Sequence, residues 1–112
     1  MQYALLIYGK PGRWETFSEE EQQAMTQEYM AIAQDSRTKD GADLGDTSQA
    51  TTVRAPNGKP VATDGPFAET KEILGGFFVV EADNLDDAIE MAAKIPAART
   101  GGAIEVRPVV EH

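Results

Sequence analysis

Two helix start signals, at Ser18 and Asn84, each follow a segment of strand character and divide the chain into two similar halves. Ser18 is a favourable N-cap residue, and Glu21 three positions later completes a capping box. Asn84 caps the second helix, which Pro96 ends. Because both helices have apolar residues at helical spacing, each should pack one face on a core. A strand–helix pattern that occurs twice predicts a mixed α+β fold.

Segments of strand character flank both helices. The chain starts with a near-continuous apolar run, Tyr3–Tyr8, as expected for a strand buried on both faces. The strongest strand pattern, Ile73–Ala82, is interrupted by two glycines at 75–76, which predict a β-bulge or close packing of a partner subunit. Ala103–Val106 forms the last strand. The pattern is weakest after the first helix, where only Ala42–Leu44 indicates a short second strand.

A β-hairpin is indicated in the middle of the chain. Thr51–Arg54 and Val61–Thr63 favour strands, and the Asn-Gly pair at 57–58 between them is a strong turn signal. Pro56 and Pro60 suit an edge hairpin, because proline cannot donate to a strand ladder. The hairpin therefore lies between the two strand–helix halves.

The resulting order is βαβ, hairpin, βαβ, within one domain that covers residues 1–112. Two helices on one face of an antiparallel sheet form a ferredoxin-like α+β subunit. The opposite face of such a sheet has no helices to cover it. We therefore expect a homodimer in which two sheets pack face to face.

Composition excludes several classes of function. The chain has no cysteine, which rules out thiolate catalysis, disulfides and cysteine-based zinc sites. Its net charge of −9 opposes binding to nucleic acid, where affinity comes from cations that neutralise phosphates. This acidity favours solubility, although an acidic surface could also bind a basic protein partner.

The motifs present indicate neither a cofactor nor a metal. Asp40, Asp43 and Asp46 are spaced in threes, but the glutamate that a calcium loop requires does not follow, so we interpret them as loop acids. There is no Walker A motif and no dinucleotide-binding glycine motif. The amino terminus has no basic segment before an apolar run, and no apolar stretch approaches the roughly 20 residues of a membrane span. A cytoplasmic protein without membrane association is expected.

The segment Asp64–Glu72, followed by Leu74–Phe77, resembles the motif of the DGPF proteins, a branch of the YCII-related family. Ala50–Arg54, Ile104–Pro108 and the start of the chain, Tyr3–Gly9, support the resemblance, which covers nearly the whole sequence. It implies a dimeric α+β barrel built from ferredoxin-like subunits, in agreement with the order of elements.

The resemblance implies no settled activity. YCII-like proteins have been proposed to be enzymes because of a His-Asp pair, and some occur beside or fused to extracytoplasmic-function sigma factors. The one histidine here is the last residue, His112, so the His-Asp pair is not transferred to this chain. Family members also often have an acid near the position of Ala42, where this sequence departs from the pattern.

Asp64 is the main candidate for acid/base chemistry. It precedes Gly65 and Pro66, so its carboxylate could accept N–H groups of its own turn in an Asx-type arrangement. Alternatively, the turn presents the carboxylate at the mouth of a cleft, as a base or a ligand contact. A role as base would require burial or a neighbouring acid to make the group more basic. Both interpretations remain open, because one aspartate can serve the turn and still face a cleft.

Glu69 and Lys71 are candidates because they adjoin this turn. They alternate on the approach to a strand and would share one face, where they could orient a substrate. They could equally form a surface ion pair worth about 0–1 kcal/mol.

Three residues in strands are assigned to the walls of the same cleft, and a tryptophan lies in the loop before the first helix. Tyr8, Thr52 and Arg54 would line its walls, Tyr8 as a hydrogen-bond donor or as a half-buried core residue. Arg54 could bind an anionic group or pair with an acid. Trp14 would anchor the loop before the first helix or cover the pocket.

These residues predict a homodimer whose cleft binds a small organic molecule, with cofactor-free proton transfer by Asp64. The alternative is a non-catalytic accessory protein that acts through its acidic surface in sigma-factor-linked regulation of transcription. A binding module without turnover is a third interpretation. The sequence does not separate these functions.

Overall fold

The computed structural model describes the whole chain, Met1–His112. Six strands and two α-helices follow in the predicted order, with short 3₁₀ turns at Trp14–Thr16, Thr47–Gln49 and Pro96–Ala98. The strands and helices are β1 (Gln2–Gly9), α1 (Glu19–Gln34), β2 (Thr38–Asp43), β3 (Thr51–Arg54), β4 (Val61–Asp64), β5 (Ile73–Glu81), α2 (Leu85–Ala93) and β6 (Ala103–Pro108).

The main sheet has four strands in the order β2-β5-β1-β6, and every neighbouring pair is antiparallel. Both helices pack on the same face, because residues of α1 and α2 share one core with alternate residues of β1 and β5. The predicted ferredoxin-like α+β fold is confirmed. The opposite face of the sheet has no helix on it.

The core lies between the two central strands and the helices. Leu5 on β1, Val80 on β5 and Ile95 after α2 are completely buried. Helix α1 contributes Ile32 to this buried cluster, and α2 contributes Ala88, Met91 and Ala92. No charged side chain is buried, so apolar packing holds the two layers together.

Both predicted N-caps are present. The Ser18 N–H donates to Glu21 Oε1 at 2.9 Å, and the Glu21 N–H donates to Ser18 Oγ at 3.1 Å. Asn84 Oδ1 accepts the Asp87 N–H at 2.9 Å. Pro96 starts the third 3₁₀ turn after α2 has ended at Ala93. Both helices therefore start where the sequence places their caps.

The second strand is longer than the sequence indicates. Ala42–Leu44 suggested a short strand, whereas β2 covers Thr38–Asp43. This strand pairs only with β5 at the edge of the sheet, and all of its residues except Thr38 are exposed. An exposed edge strand needs no apolar alternation, which explains why the sequence pattern is weak there.

The glycine pair of β5 forms the predicted bulge. The register between β1 and β5 shifts between Ile7, which pairs with Gly76, and Tyr8, which pairs with Leu74. Gly75 is therefore the extra residue. A Cβ on Gly76 would lie 2.8 Å from the carbonyl oxygen of Ala42, so β2 approaches the backbone too closely for a side chain.

The predicted hairpin exists but does not join the main sheet. β3 and β4 form a separate two-stranded sheet. Residues 45–72 are here named the hairpin arm. The arm makes no hydrogen bond or ion pair to the rest of the chain. Just outside the arm, the Leu44 N–H donates to the Gly75 carbonyl at 2.9 Å. The radius of gyration of 15.8 Å exceeds the value of about 13 Å for a compact chain of this length. The hairpin arm thus projects from the body.

The capping box yields a first prediction. Ser18→Ala removes the side-chain acceptor of the Glu21 N–H and should lower the free energy of unfolding by about 1 kcal/mol in urea denaturation. Ser36→Ala is the matched control, because Ser36 is exposed and its side chain makes no hydrogen bond. Equal stability of the two variants would contradict the capping role.

The close approach at the bulge yields a second prediction. Gly76→Ala places a methyl group against the Ala42 carbonyl and should destabilise the protein by about 1–3 kcal/mol, measured by thermal unfolding. Gly9→Ala is the control, since a Cβ there meets no atom within 4 Å. A Gly76→Ala protein as stable as Gly9→Ala would show that β2 can move away from the bulge.

Candidate functional site

A cavity of about 660 Å³ lies between α1 and the end of the sheet where β1 finishes and β5 begins. Helix α1 supplies one wall with residues spaced at i, i+3, i+4 and i+7, namely Thr26, Tyr29, Met30 and Ala33. The strands supply the floor, which includes Ile7, Ile73, Phe77, Phe78 and the glycines 41, 75 and 76. Its size is within the range of small-molecule sites.

The lining is mainly apolar and contains no cation. Eleven of its 17 residues are hydrophobic, and none is lysine, arginine or histidine. Asp43, at the end of β2, is the one ionisable carboxylate in the lining. Such a cavity favours a neutral ligand with apolar surface, because an anion would lose its hydration and find no positive partner.

Tyr29 and Asp43 provide the polar groups with the clearest chemical roles. Burial raises the pKa of Tyr29 above its ordinary value, and the nearby charge of Asp43 adds to the effect. The phenol therefore keeps its proton at neutral pH and can donate a hydrogen bond. The oxygens of the Asp43 side chain can accept hydrogen bonds. Together the two groups could bind a hydroxyl and a carbonyl of one ligand.

Trp14 borders the cavity from the loop before α1. Its ring meets Phe17 edge-on at a centroid distance of 6.3 Å, and its carbonyl accepts the Gln22 side-chain amide at 3.0 Å. Arg13 fixes the same loop by donating from Nε to the Thr100 carbonyl at 3.0 Å. The tryptophan is 41% exposed, so it both anchors this loop and leaves an aromatic surface at the cavity.

Of the six candidate residues assigned from the sequence, Tyr8 borders this cavity and the other five lie on the hairpin arm. The side chain of Asp64 is exposed and accepts no hydrogen bond, so the Asx-type turn does not form. Instead, the Gly65 N–H donates to the Ala50 carbonyl at 2.8 Å. Thr52 Oγ1 donates to the Gly65 carbonyl at 2.8 Å and so holds the turn.

The remaining arm residues do not form a cluster. Glu69 and Lys71 are both exposed and make no ion pair with each other, and Arg54 has no acidic partner. Within one chain, the residues around the Asp64 turn are thus separate from the cavity. Their assignment to a site remains a prediction.

Tyr29 and Asp43 were not among the candidates chosen from the sequence. The helical spacing placed Tyr29 on the packed face of α1 but gave no sign that a cavity lies beside it. The sequence interpretation of Asp43 as a loop acid rests on the missing glutamate of a calcium loop and takes no account of a pocket beside it. Alternation along β2 puts Asp43 on the same side of the sheet as Gly41, toward the helices. The position of Asp43 beside the cavity can therefore be inferred only once the strand register is known.

Two other kinds of site were sought in the structure. No group of three or more histidine, cysteine, aspartate or glutamate side chains is positioned to hold a metal ion. Neither α1 nor α2 combines the length and the apolar character needed to cross a lipid bilayer.

The fold and the cavity define a ferredoxin-like α+β protein with an open pocket between its helical layer and its sheet. The chain belongs to the YCII-related domain family, whose model matches residues 1–112. An uncharacterised protein of Rhizobium meliloti (strain 1021) is 33% identical over 114 residues, which cover 97% of this chain and 92% of the relative. The predicted family membership is confirmed.

A solved structure shares the fold. It is the 5-chloro-2-hydroxyhydroquinone dehydrochlorinase TftG from Burkholderia phenoliruptrix AC1100, in complex with 2,5-dihydroxybenzoquinone. The TM-score is 0.56, with 16% sequence identity, and the match covers 100% of this chain and 96% of the other. At this level of identity the likeness concerns the fold alone.

Proposed function

We propose that this protein binds a small, uncharged, aromatic molecule in the cavity between α1 and the sheet. The observation that supports this proposal is the cavity itself, with its volume of about 660 Å³, its apolar walls and its lack of any cationic side chain. Trp14 and Phe78 give it aromatic surfaces suited to a planar ring. Tyr29 and Asp43 offer one donor and one acceptor to the ring substituents.

The ligand in the TftG structure shares the planar six-membered ring of this class, although its hydroxyl groups are vinylogous acids and therefore more acidic than phenols. This ligand is 2,5-dihydroxybenzoquinone, a six-membered ring with hydroxyl and carbonyl groups. Since the identity between the two chains is low, the support for the proposal comes from the lining of this cavity, and the neighbour adds only that the fold can accommodate such a ring.

Any chemistry on the ligand would be proton transfer. Asp43 is the base that the cavity offers, and the protonated Tyr29 would stabilise an oxyanion that forms on the ring. Asp64 remains a second candidate base, since its exposed carboxylate could act on a ligand only where another surface meets the hairpin arm.

We also propose that two copies pair through the uncovered face of the main sheet. Strand alternation places Ala4, Leu6, Phe77 and Val79 on that face, and all four are only half-buried in a single chain. This apolar centre is framed by charged residues at the sheet edges, as in many protein interfaces. A second copy would shield these side chains from water.

The second candidate function is an accessory role in sigma-factor-linked regulation, without catalysis. The acidic surface supports it: the net charge is −9, and three consecutive glutamates begin α1. A basic protein would be the partner. This function does not require the cavity, so ligand binding separates the two proposals.

A matched pair of ligands tests the proposed class. Hydroquinone is neutral and benzoate is anionic, with similar size. In NMR titrations we expect hydroquinone to shift the resonances of the Trp14 indole and the Met30 methyl group, while benzoate leaves them unchanged at the same concentration. Equal binding of both would contradict the electrostatic argument, and no shift with either would favour the accessory function.

Filling the cavity tests the location. Ala33→Leu adds bulk to the α1 wall and should weaken hydroquinone binding at least tenfold. Ala31→Leu is the matched control, since Ala31 is exposed on the same helix and does not line the cavity. Equal affinities of the two variants would place the ligand elsewhere.

The Tyr29 hydroxyl should contribute through its hydrogen bond. Tyr29→Phe keeps the ring but removes the donor, so the affinity for hydroquinone should fall by about fivefold, equivalent to ~1 kcal/mol. The affinity for p-xylene, which has no polar group, should not change. Isothermal titration calorimetry measures both, and a parallel loss for p-xylene would indicate a packing effect.

A further inference from the structure

The hairpin arm lacks support from its own chain. Residues 45–72 have neither hydrogen bonds nor ion pairs to the body, and β3 and β4 pair only with each other over four residues each. An isolated two-stranded hairpin is at best marginally stable in water. An additional contact outside the chain would therefore stabilise the arm.

Large apolar side chains on the arm are exposed to solvent. Phe67 is 78% exposed, Val53 60% and Val61 54%. Val53 and Val61 lie on opposite faces of the hairpin, because Val53 pairs with Ala62 and Val61 pairs with Arg54. Both faces of the hairpin thus present apolar surface, which suits a segment that inserts between other surfaces.

The hairpin itself is basic, whereas the body of the chain is acidic. Residues 51–63 contain two cations, Arg54 and Lys59, and no acid. The whole arm, residues 45–72, carries −1 because it also contains four acids and Lys71, and the body, residues 1–44 and 73–112, carries −8. Neither Arg54 nor Lys59 forms an ion pair within the chain. A second copy of the same chain therefore offers this hairpin an acidic surface.

The position of the arm brings it near such a copy. It leaves the sheet after β2 and returns at β5, two neighbouring strands of the sheet whose other face is uncovered. Two packed sheets lie about 10 Å apart, and a strand of four residues is about 13 Å long. The arm is thus long enough to cross the gap to a copy seated on that face.

We propose that the hairpin arm of each subunit packs on its partner in the homodimer, with Phe67 and the two valines against the partner's apolar surface and Arg54 and Lys59 against its acidic groups. This inference rests on the proposed sheet-to-sheet dimer. It explains why the arm has neither hydrogen bonds nor ion pairs to its own body. In such a dimer, the Asp64 turn of one subunit would lie on the surface of the other.

Intermolecular paramagnetic relaxation tests the proposal directly, because the chain has no cysteine. Phe67→Cys carries a nitroxide on an unlabelled chain, which is mixed with ¹⁵N-labelled wild-type chain. We expect broadened amide signals in the body of the labelled copy. If only the arm of the ¹⁵N-labelled chain shows broadened signals, or if no signal is broadened, the proposal is overturned. As Phe67 itself is a proposed contact, Gly58→Cys at the hairpin turn provides a second position for the nitroxide.

Charge reversal tests the electrostatic part. Arg54→Glu combined with Lys59→Glu should raise the dimer dissociation constant at least tenfold at low ionic strength, as measured by sedimentation equilibrium. Lys10→Glu combined with Lys94→Glu changes the net charge equally at exposed body positions and should have a clearly smaller effect. Equal effects of the two double variants would overturn the arm contact.

The outcomes for the dimer and for the arm are distinguishable. A monomeric wild-type chain at micromolar concentration would refute the proposed dimer and the arm contact with it. A stable dimer without intermolecular broadening would refute the arm contact alone. Hydroquinone binding reports on the cavity in either case.

Discussion

The apolar contact between the two central strands and the two helices is the interaction on which the rest of the structure depends. Leu5 and Val80 lie at its centre without any exposure to solvent, and Ala88 lets α2 approach the sheet closely. Since no buried charge or polar side chain competes with this contact, it sets the distance between the layers. The cavity exists where α1 extends past this packed region toward the end of the sheet.

Local chemistry explains which parts of the fold the sequence predicts. The caps at Ser18 and Asn84, the Asn-Gly turn and the glycine bulge are each specified by a few neighbouring residues, and all of them appear where expected. The second strand is specified by its pairing with β5, a partner distant in sequence. Its exposed, polar residues contain little local information, so its bounds could not be predicted.

The candidate site illustrates the same limit. The motif around Asp64 identified the family, but one chain places this segment on the projecting arm, apart from the cavity. The cavity is built from α1, β1, β2 and β5, whose residues meet only after the sheet has formed. Tyr29 and Asp43 have ordinary sequence surroundings, and their proximity depends on long-range packing. A motif can thus identify a family without identifying the residues that line its pocket.

The glycines in the floor of the cavity affect how this protein could change its ligand preference. A Cβ on Gly41 would lie 2.8 Å from Phe78 Cδ1, and a Cβ on Gly76 would lie 2.8 Å from the Ala42 carbonyl oxygen. The floor at these two positions therefore consists of main chain. Main-chain atoms cannot be exchanged by point substitution. Selectivity at these two points of the floor is therefore fixed, whereas the opposite wall presents four side chains of one helix face that substitution can change.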